Sequence, residues 1–277
     1  MCRKDNLNMK LTVLVDNNTY IDRYLIGEPA LSFYIESDGK KLLFDTGYSD
    51  AFLKNAKELG VELADLDAVV ISHSHVDHTG GLGPLSENFD MTAVTLYAHP
   101  ESFYIKRNGT ENTGSLLRAE ELSERFELFL SDEPQYITPK LLYLGAIPRV
   151  FDFEKPVQTG EALVDGKFVP DFDMDDSALA YLGEDGLFII TGCSHAGICN
   201  IIDYARRLTG EERVAGVIGG FHLFDVDKRL EKTVDYLESC NVASLNPCHC
   251  VSLRARAYML SRLPINEVAT GMTLEAK

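Results

Sequence analysis

Short apolar runs separated by turn residues make up the start of the chain. Residues 11–15, 30–35 and 41–44 each predict a β-strand. Ser37-Asp38-Gly39, between the second and third runs, is typical of a hairpin turn because glycine readily takes a positive φ. These runs therefore predict an antiparallel sheet.

The pattern then changes to helical spacing. Apolar residues recur every three or four positions over residues 49–59, and Gly60 follows as a stop signal. Residues 68–71 are all apolar and mostly β-branched, which predicts a strand buried on both faces. Residues 94–97 predict a further strand.

The middle of the chain, about residues 101–172, has a looser pattern with five prolines and a charged helical stretch over residues 119–129. We expect an insertion or lid over a functional site, within a single domain of residues 1–277. The alternative is a continuation of the sheet with long loops, because residues 141–144 and 162–168 resemble strands.

Strands and helices alternate in the last third. The predicted strands are 178–182, 187–190, 214–218 and 242–245, and the predicted helices are 198–208 and 226–239. This alternation implies a sheet covered by helices. Taken together, the chain predicts an α/β (α+β) protein with two sheets packed face to face and helices outside them.

Composition narrows the functional classes. Hydrophobic residues make up 45% of the chain and charged residues 25%, as in globular proteins, and no apolar run is long enough to span a bilayer. The first ten residues are too polar for a signal peptide, so we expect a cytoplasmic protein with six reduced cysteines. A net charge of −17 disfavours nucleic acids and leaves a small molecule as the expected partner; oligomeric state stays open.

The strongest chemical signal follows the predicted strand at 68–71. Residues 73–80 read His-Ser-His-Val-Asp-His-Thr-Gly. In an extended segment His73, His75 and Asp77 point the same way, and His78 follows as the chain turns. Nitrogen and oxygen ligands of this kind suit zinc, manganese or iron.

Four such side chains do not converge easily on one ion from so short a segment. We expect two divalent ions, most suitably zinc, with His73 and His75 on one and Asp77 and His78 on the other. The alternative, a polar loop with solvated histidines, is disfavoured because three of the chain's seven histidines fall within six residues.

Residues 73–81 match the His-x-His-x-Asp-His signature of the metallo-β-lactamase superfamily, and Leu43-Phe44-Asp45-Thr46-Gly47 resembles its first motif. The resemblance implies an αββα four-layer sandwich with a metal site at one edge. It covers nearly the full chain.

The C-terminal half departs from the usual pattern of that superfamily. Residues 174–179 lack the histidine that is usual in this region, and Cys193 stands where a bridging aspartate is usual. The segments around Asp176, His195 and His222 resemble a narrower branch of dihydropterin ribofuranosylaminobenzene phosphate synthase-like metallohydrolases. The resemblance implies that His195 replaces the missing histidine and that His249 is the final ligand.

Several further side chains have two interpretations each. His222 is a catalytic, substrate-facing group, a packed residue or a ligand, and Cys193 is either a thiolate ligand or a small buried residue. Asp45 either orients a ligand histidine or caps a turn. We expect Cys248 and Cys250 to be packing residues and His99 to be structural. Asp175 or Asp176 is either a carboxylate ligand or a helix cap.

We expect a dinuclear metal-dependent hydrolase or transferase, and the resemblance implies a small phosphorylated or pterin-like substrate. In this enzyme, Asp77 would orient an activated water and backbone N–H groups of the helix after Gly197 would hold a substrate anion. A generic esterase, lactonase or phosphodiesterase and a non-catalytic metal-binding sensor are the alternatives. A nuclease is disfavoured by the acidic surface.

Overall fold

The computed structural model describes residues 8–277. Residues 1–7, which contribute to the expectation that no signal peptide is present, lie outside the described part. The described strands, in chain order, are β1 Met9–Val15, β2 Ser32–Ser37, β3 Lys40–Phe44, β4 Ala68–Val70, β5 Thr95–Ala98, β6 Lys106–Asn108, β7 Glu111–Asn112, β8 Glu127–Leu130, β9 Gln135–Tyr136, β10 Leu141–Tyr143, β11 Gly160–Val164, β12 Lys167–Asp171, β13 Ala178–Gly183, β14 Gly186–Thr191, β15 Val214–Gly219, β16 Ser244–Pro247 and β17 Thr273–Ala276.

The described helices, in the same order, are α1 Ala51–Leu59, α2 Val76–Thr79, α3 Leu82–Asn88, α4 Ala119–Ser123, α5 Ile198–Thr209, α6 Lys228–Ser239 and α7 Leu253–Leu260. A short 3-10 helix spans Asp152–Glu154. Within residues 8–277, every helix falls short of the length and apolar character needed to cross a bilayer.

The first large sheet has the order β17-β1-β2-β3-β4-β5-β8. The β1–β2 and β2–β3 pairs are antiparallel, as predicted, and the turn at Asp38 and Gly39 has positive φ at both residues. From β3 to β8 the strands run parallel. Their carboxyl ends, including the end of β4 that precedes the histidine cluster, therefore share one edge.

The second large sheet has the order β16-β15-β14-β13-β10-β9, with β14, β15 and β16 parallel. One buried cluster contains Phe33 and Phe44 of the first sheet together with Tyr143, Tyr181 and Ile190 of the second. Side chains of the two sheets therefore form a shared central core.

The outer face of each sheet is covered by helices. Phe52 of α1, Leu85 of α3 and Leu122 of α4 pack with Leu43 and Leu96 of the first sheet. A separate cluster joins apolar side chains of α5, α6 and α7 to the outer face of the second sheet. The predicted αββα sandwich is confirmed.

Two predictions for the middle of the chain are wrong. The expected helix over residues 119–129 ends at Ser123, and residues 127–130 form β8, since their exposure alternates with the period of two that a strand requires. The expected strand over 162–168 is a hairpin of β11 and β12, because Asp165 and Gly166 take positive φ between them.

Of the stretch 101–172, β8, β9 and β10 belong to the two large sheets. By contrast β12, β11, β6 and β7 form a four-stranded sheet of their own. The part of this stretch that could serve as a lid is therefore shorter than residues 101–172.

Glu154 occupies the N-terminus of α5. Its buried carboxylate accepts hydrogen bonds from Cys199 N at 3.1 Å and Asn200 N at 2.9 Å. A Cβ on Gly197 would lie 2.2 Å from the Glu154 carboxylate, so only glycine fits there. The expectation that these N–H groups hold a substrate anion is wrong, because a carboxylate of the chain already accepts from them.

Replacing Glu154 by alanine is expected to lower the free energy of unfolding by about 1–3 kcal/mol, because two buried N–H groups lose their acceptor. Urea denaturation measures this change. Asp152→Ala is the matched control: Asp152 lies in the same 3-10 helix, but its side chain is 87% exposed and pairs only with Lys155. We expect little change for the control, because an exposed ion pair contributes little to stability. Equal losses in both variants would contradict the capping role.

Candidate metal centre

The histidine cluster is not extended throughout. His73 and His75 lie in an irregular segment after β4, but Val76–Thr79 forms the helical turn α2. His78 N and Thr79 N both donate to the carbonyl of His75, which closes the turn. The prediction that Asp77 continues an extended alternation is therefore wrong. The turn separates the cluster into two groups.

His73, His75 and His195 form the first group, and their ligand nitrogens lie within 4.8 Å of one another. His73 Nε2 and His75 Nδ1 are 3.1 Å apart. His195 Nε2 is buried without a hydrogen-bond partner. A buried nitrogen without a polar partner is costly unless something else, such as a cation, binds it. The donor set therefore fits a metal ion. We call this the three-histidine group.

Asp77, His78, Cys193 and His249 form the second group, again with ligand atoms within 4.8 Å of one another. Asp77 Oδ2 lies 3.3 Å from His249 Nε2, and Cys193 Sγ lies 3.3 Å from His78 Nε2. Cys193, for which the sequence allows a ligand or a packing role, thus faces three side chains of types that can bind a metal. We call this the cysteine group.

The nitrogen of His78 that points away from the cysteine group is held by Asp45. Asp45 Oδ2 lies 2.6 Å from His78 Nδ1, and both carboxylate oxygens also accept hydrogen bonds from Ser72. This is the orienting role expected of Asp45. It fixes the ring and leaves Nε2 for a ligand.

The other four histidines are held in the same way. His73 Nδ1 lies 2.9 Å from Ser72 Oγ, and His249 Nδ1 lies 2.9 Å from Asn17 Oδ1. Asp173 serves two rings, with one oxygen 3.3 Å from His75 Nε2 and the other 3.3 Å from His195 Nδ1. Each of the five rings therefore has one nitrogen beside an oxygen and the other directed into its group.

The two aspartates predicted as possible ligands lie outside both groups. Asp175 accepts from Ser74 N at 2.8 Å and from Lys106 Nζ at 2.6 Å. Asp176 accepts from Ala196 N at 2.7 Å, at the start of the segment leading to α5. A supporting and capping role fits both.

The backbone at the site is unusually constrained. Asp45, Asp173, Ser194, His222 and His249 have φ between 48° and 56°, a region that side chains other than glycine seldom adopt. Each such residue costs of order 1–3 kcal/mol, and the surrounding structure must offset that cost. This concentration of strain is typical of a functional site.

Burial controls the protonation of the three-histidine group. It lowers the pKa of His73 and His195 well below the usual range, so both rings are neutral and offer lone pairs. In the cysteine group, burial lowers the pKa of His249, but the hydrogen bond with Asp77 and the nearby negative charges together outweigh it and raise the pKa to about 9. The surroundings of His249 therefore favour positive charge.

The two groups face a cavity of about 840 Å³. His222 lines this cavity outside both groups, with its ring centroid 4.4 Å from that of His195. Burial, and then the charge of Arg229, lowers the pKa of His222 to about 4. Its ring is therefore neutral near pH 7 and exposed to whatever enters the cavity.

The remaining histidine and cysteines take different places. His99 is buried, and its Nδ1 accepts from Glu101 N at 3.2 Å, outside both groups. Cys248 is fully buried. Cys250, expected to pack away from the site, instead lines the cavity and accepts a hydrogen bond from His222 N at 3.2 Å. The tight turn before Cys250 brings it back to this wall.

Sequence reasoning missed three supporting residues. Asp173 belongs to an acidic run in which Asp175 and Asp176, and not Asp173, were predicted as candidate ligands. Asn17 and Lys106 carry no local signal, because each reaches the site only through long-range folding.

Comparison with known proteins agrees with this geometry. The sequence model of the metallo-beta-lactamase superfamily matches residues 25–208. An uncharacterised protein of Methanocaldococcus jannaschii is 33% identical over 247 residues, covering 88% of this chain and 91% of the relative. The 7,8-dihydropterin-6-methyl-4-(beta-D-ribofuranosyl)-aminobenzene-5'-phosphate synthase of the same organism is 32% identical over 265 residues, covering 90% and 89%.

A similar solved structure is Tm1679, described as a metal-dependent hydrolase of the beta-lactamase superfamily. It has a TM-score of 0.84 and 30% identity, and the match covers 97% of this chain and 99% of Tm1679. With the family match spanning well over half of the chain, and with fold and donor groups in agreement, this chain belongs to the metallo-β-lactamase superfamily.

Proposed function

We propose that the chain is a dinuclear metal-dependent hydrolase or transferase that acts on a small phosphorylated or pterin-like molecule. The observation that carries the proposal is the pair of donor groups that share the floor of one cavity. The ring centroids of His73 and His78, one from each group, are only 4.2 Å apart. Ions bound in the two groups would therefore be close neighbours.

The two groups differ in their chemistry. Three imidazoles suit zinc, iron or manganese, whereas a cysteine sulfur, two imidazoles and a carboxylate favour zinc. Zinc is thus the ion that satisfies both groups. A reducing, cytoplasmic environment would keep the Cys193 thiol available as a ligand.

Bound divalent ions would activate water for attack and polarise a carbonyl or phosphoryl oxygen of the substrate. The chain's own residues supply the rest. Asp77, in the cysteine group, offers a carboxylate oxygen that can orient the attacking water by accepting its proton in a hydrogen bond. His222, neutral and facing the cavity, can accept or return a proton at its ring.

Three observations support the substrate class. The synthase relative, whose printed name contains a dihydropterin and a phosphate, aligns over 90% of this chain. The cavity volume of about 840 Å³ suits one such molecule. The cavity wall includes Arg256, whose guanidinium group is a cation suited to pairing with a phosphate.

Turnover by the metal-loaded protein tests the proposal. We expect hydrolysis of model phosphoesters that falls at least about 100-fold on His75→Ala, because loss of an ion removes several kcal/mol of transition-state stabilisation. Initial rates on paired phosphorylated and non-phosphorylated esters measure this, with circular dichroism as the check on folding.

His99→Gln is the matched control, since His99 lies outside both donor groups and should leave the rate unchanged. Preference for esters or lactones without phosphate would favour the generic hydrolase. Absence of turnover across the whole panel, with both ions bound, would contradict the enzymatic proposal and favour a metal-binding sensor.

Metal content tests the ligand assignment. His249→Ala removes one member of the cysteine group and is expected to weaken binding of one ion, whereas His222→Ala should spare both because His222 lies in neither group. Elemental analysis after dialysis gives the number of ions retained. Full metal content in His249→Ala would refute the assignment of His249, and loss of an ion in His222→Ala would refute that of His222.

A further inference from the structure

Lys106 has a position that the proposed chemistry does not yet explain. It lies on β6 of the small sheet and is only 2% exposed, although lysine is almost never buried unless it is paired. Its ammonium lies 2.6 Å from Asp175, 2.9 Å from Asp171 and 3.2 Å from Asp173. One buried cation thus serves three carboxylates.

Asp173 links this cation to the metal centre. One carboxylate oxygen of Asp173 lies 3.3 Å from His75 Nε2, and the other lies 3.3 Å from His195 Nδ1. Both of these nitrogens point away from the three-histidine group. Three neighbouring carboxylates without a cation would repel one another in a site of low dielectric. The Lys106 ammonium offsets that repulsion and holds Asp173 in place through their direct contact.

The same strand also contributes to the cavity. Asn108, two residues after Lys106 on β6, lines the cavity, as does Asn112 of β7. The contact between Lys106 and the aspartates therefore joins the small sheet, which contributes to one cavity wall, to the proposed metal ligands.

We propose that Lys106 is a positioning residue for the three-histidine group. It holds Asp173, and Asp173 in turn orients His75 and His195 towards the ion. The inference rests on the proposed function, because it concerns a metal held by that group. The competing account is that Lys106 only anchors the small sheet.

Cobalt(II) titration of the purified chain distinguishes the two accounts. The cysteine group contains a thiol and should give a thiolate-to-cobalt charge-transfer band, whereas the three-histidine group should not. In Lys106→Gln we expect the charge-transfer band to be retained and the ion of the three-histidine group to bind about 10- to 100-fold more weakly, as is typical when an outer partner of a ligand is lost.

Two aspartate variants provide the matched comparison. Asp173→Asn and Asp171→Asn each remove one negative charge beside Lys106, but only Asp173 contacts the histidines. Asparagine at position 171 also keeps an oxygen that can accept from Asp173 N. We expect Asp173→Asn to weaken the same ion as Lys106→Gln does, and Asp171→Asn to leave both ions unchanged.

A double variant tests whether Lys106 acts through Asp173. If it does, Lys106→Gln should have little further effect on cobalt affinity in the Asp173→Asn background. Both substitutions would then weaken the ion by disturbing the same contact between Asp173 and the histidines. If Lys106→Gln does not fold, Lys106→Gln combined with Asp171→Asn removes the cation together with one carboxylate and gives the same measurement.

Several outcomes would overturn the role of Lys106: unchanged affinity of both ions in a folded variant, equal weakening of both groups, or additive losses in the double variant. These differ from failure of the proposed function. A wild-type chain that binds no ion in the three-histidine group refutes the proposed function itself, before any variant is compared.

Discussion

The site depends on holding five imidazole rings with one nitrogen beside an oxygen and the other directed into a donor group. Ser72, Asp45, Asn17 and Asp173 provide those oxygens, and Asp173 provides two of them. In a buried site, an imidazole without such a partner would rotate to find another hydrogen bond for its ring nitrogen. Because all five are held, the remaining nitrogens converge into the three-histidine group and the cysteine group.

The fold supplies these partners from distant parts of the chain. Asp45 follows β3 and Asn17 follows β1, so the same sheet edge that presents the histidine cluster also orients it. His195 and His249 come from the second sheet, after β14 and β16. The close approach is tight enough that a Cβ on Gly192 would lie 2.1 Å from Ser72 Oγ. Face-to-face packing of the two sheets is thus what brings the ligands together.

The sequence was sufficient for the sandwich and for the residues near 73–78, because hydrophobic periodicity and a dense local motif are both short-range signals. It was insufficient where the signal is long-range. Lys106 and Asn17 look like ordinary polar residues, and only the folded chain shows them beside Asp173 and His249. Local pattern also misassigned residues 127–130, whose pairing with β5 overrides the helical character of the preceding residues.

The departure from the usual superfamily pattern gives the centre an asymmetric character. Cys193, in place of a carboxylate, lies with Asp77, His78 and His249, while the three-histidine group has only nitrogen donors. Two groups of such different softness would hold their ions differently. The proposed role of Lys106 extends this asymmetry, because its contact with Asp173 leads to His75 and His195 of the three-histidine group.

The central claim is that two neighbouring ions bind in these two groups. An anomalous-difference map from crystals of the zinc-loaded protein, recorded at energies either side of the zinc edge, tests it most directly. The account predicts two zinc peaks, one among His73, His75 and His195 and the other among Asp77, His78, Cys193 and His249. A single peak, or peaks coordinated by other residues, would contradict it.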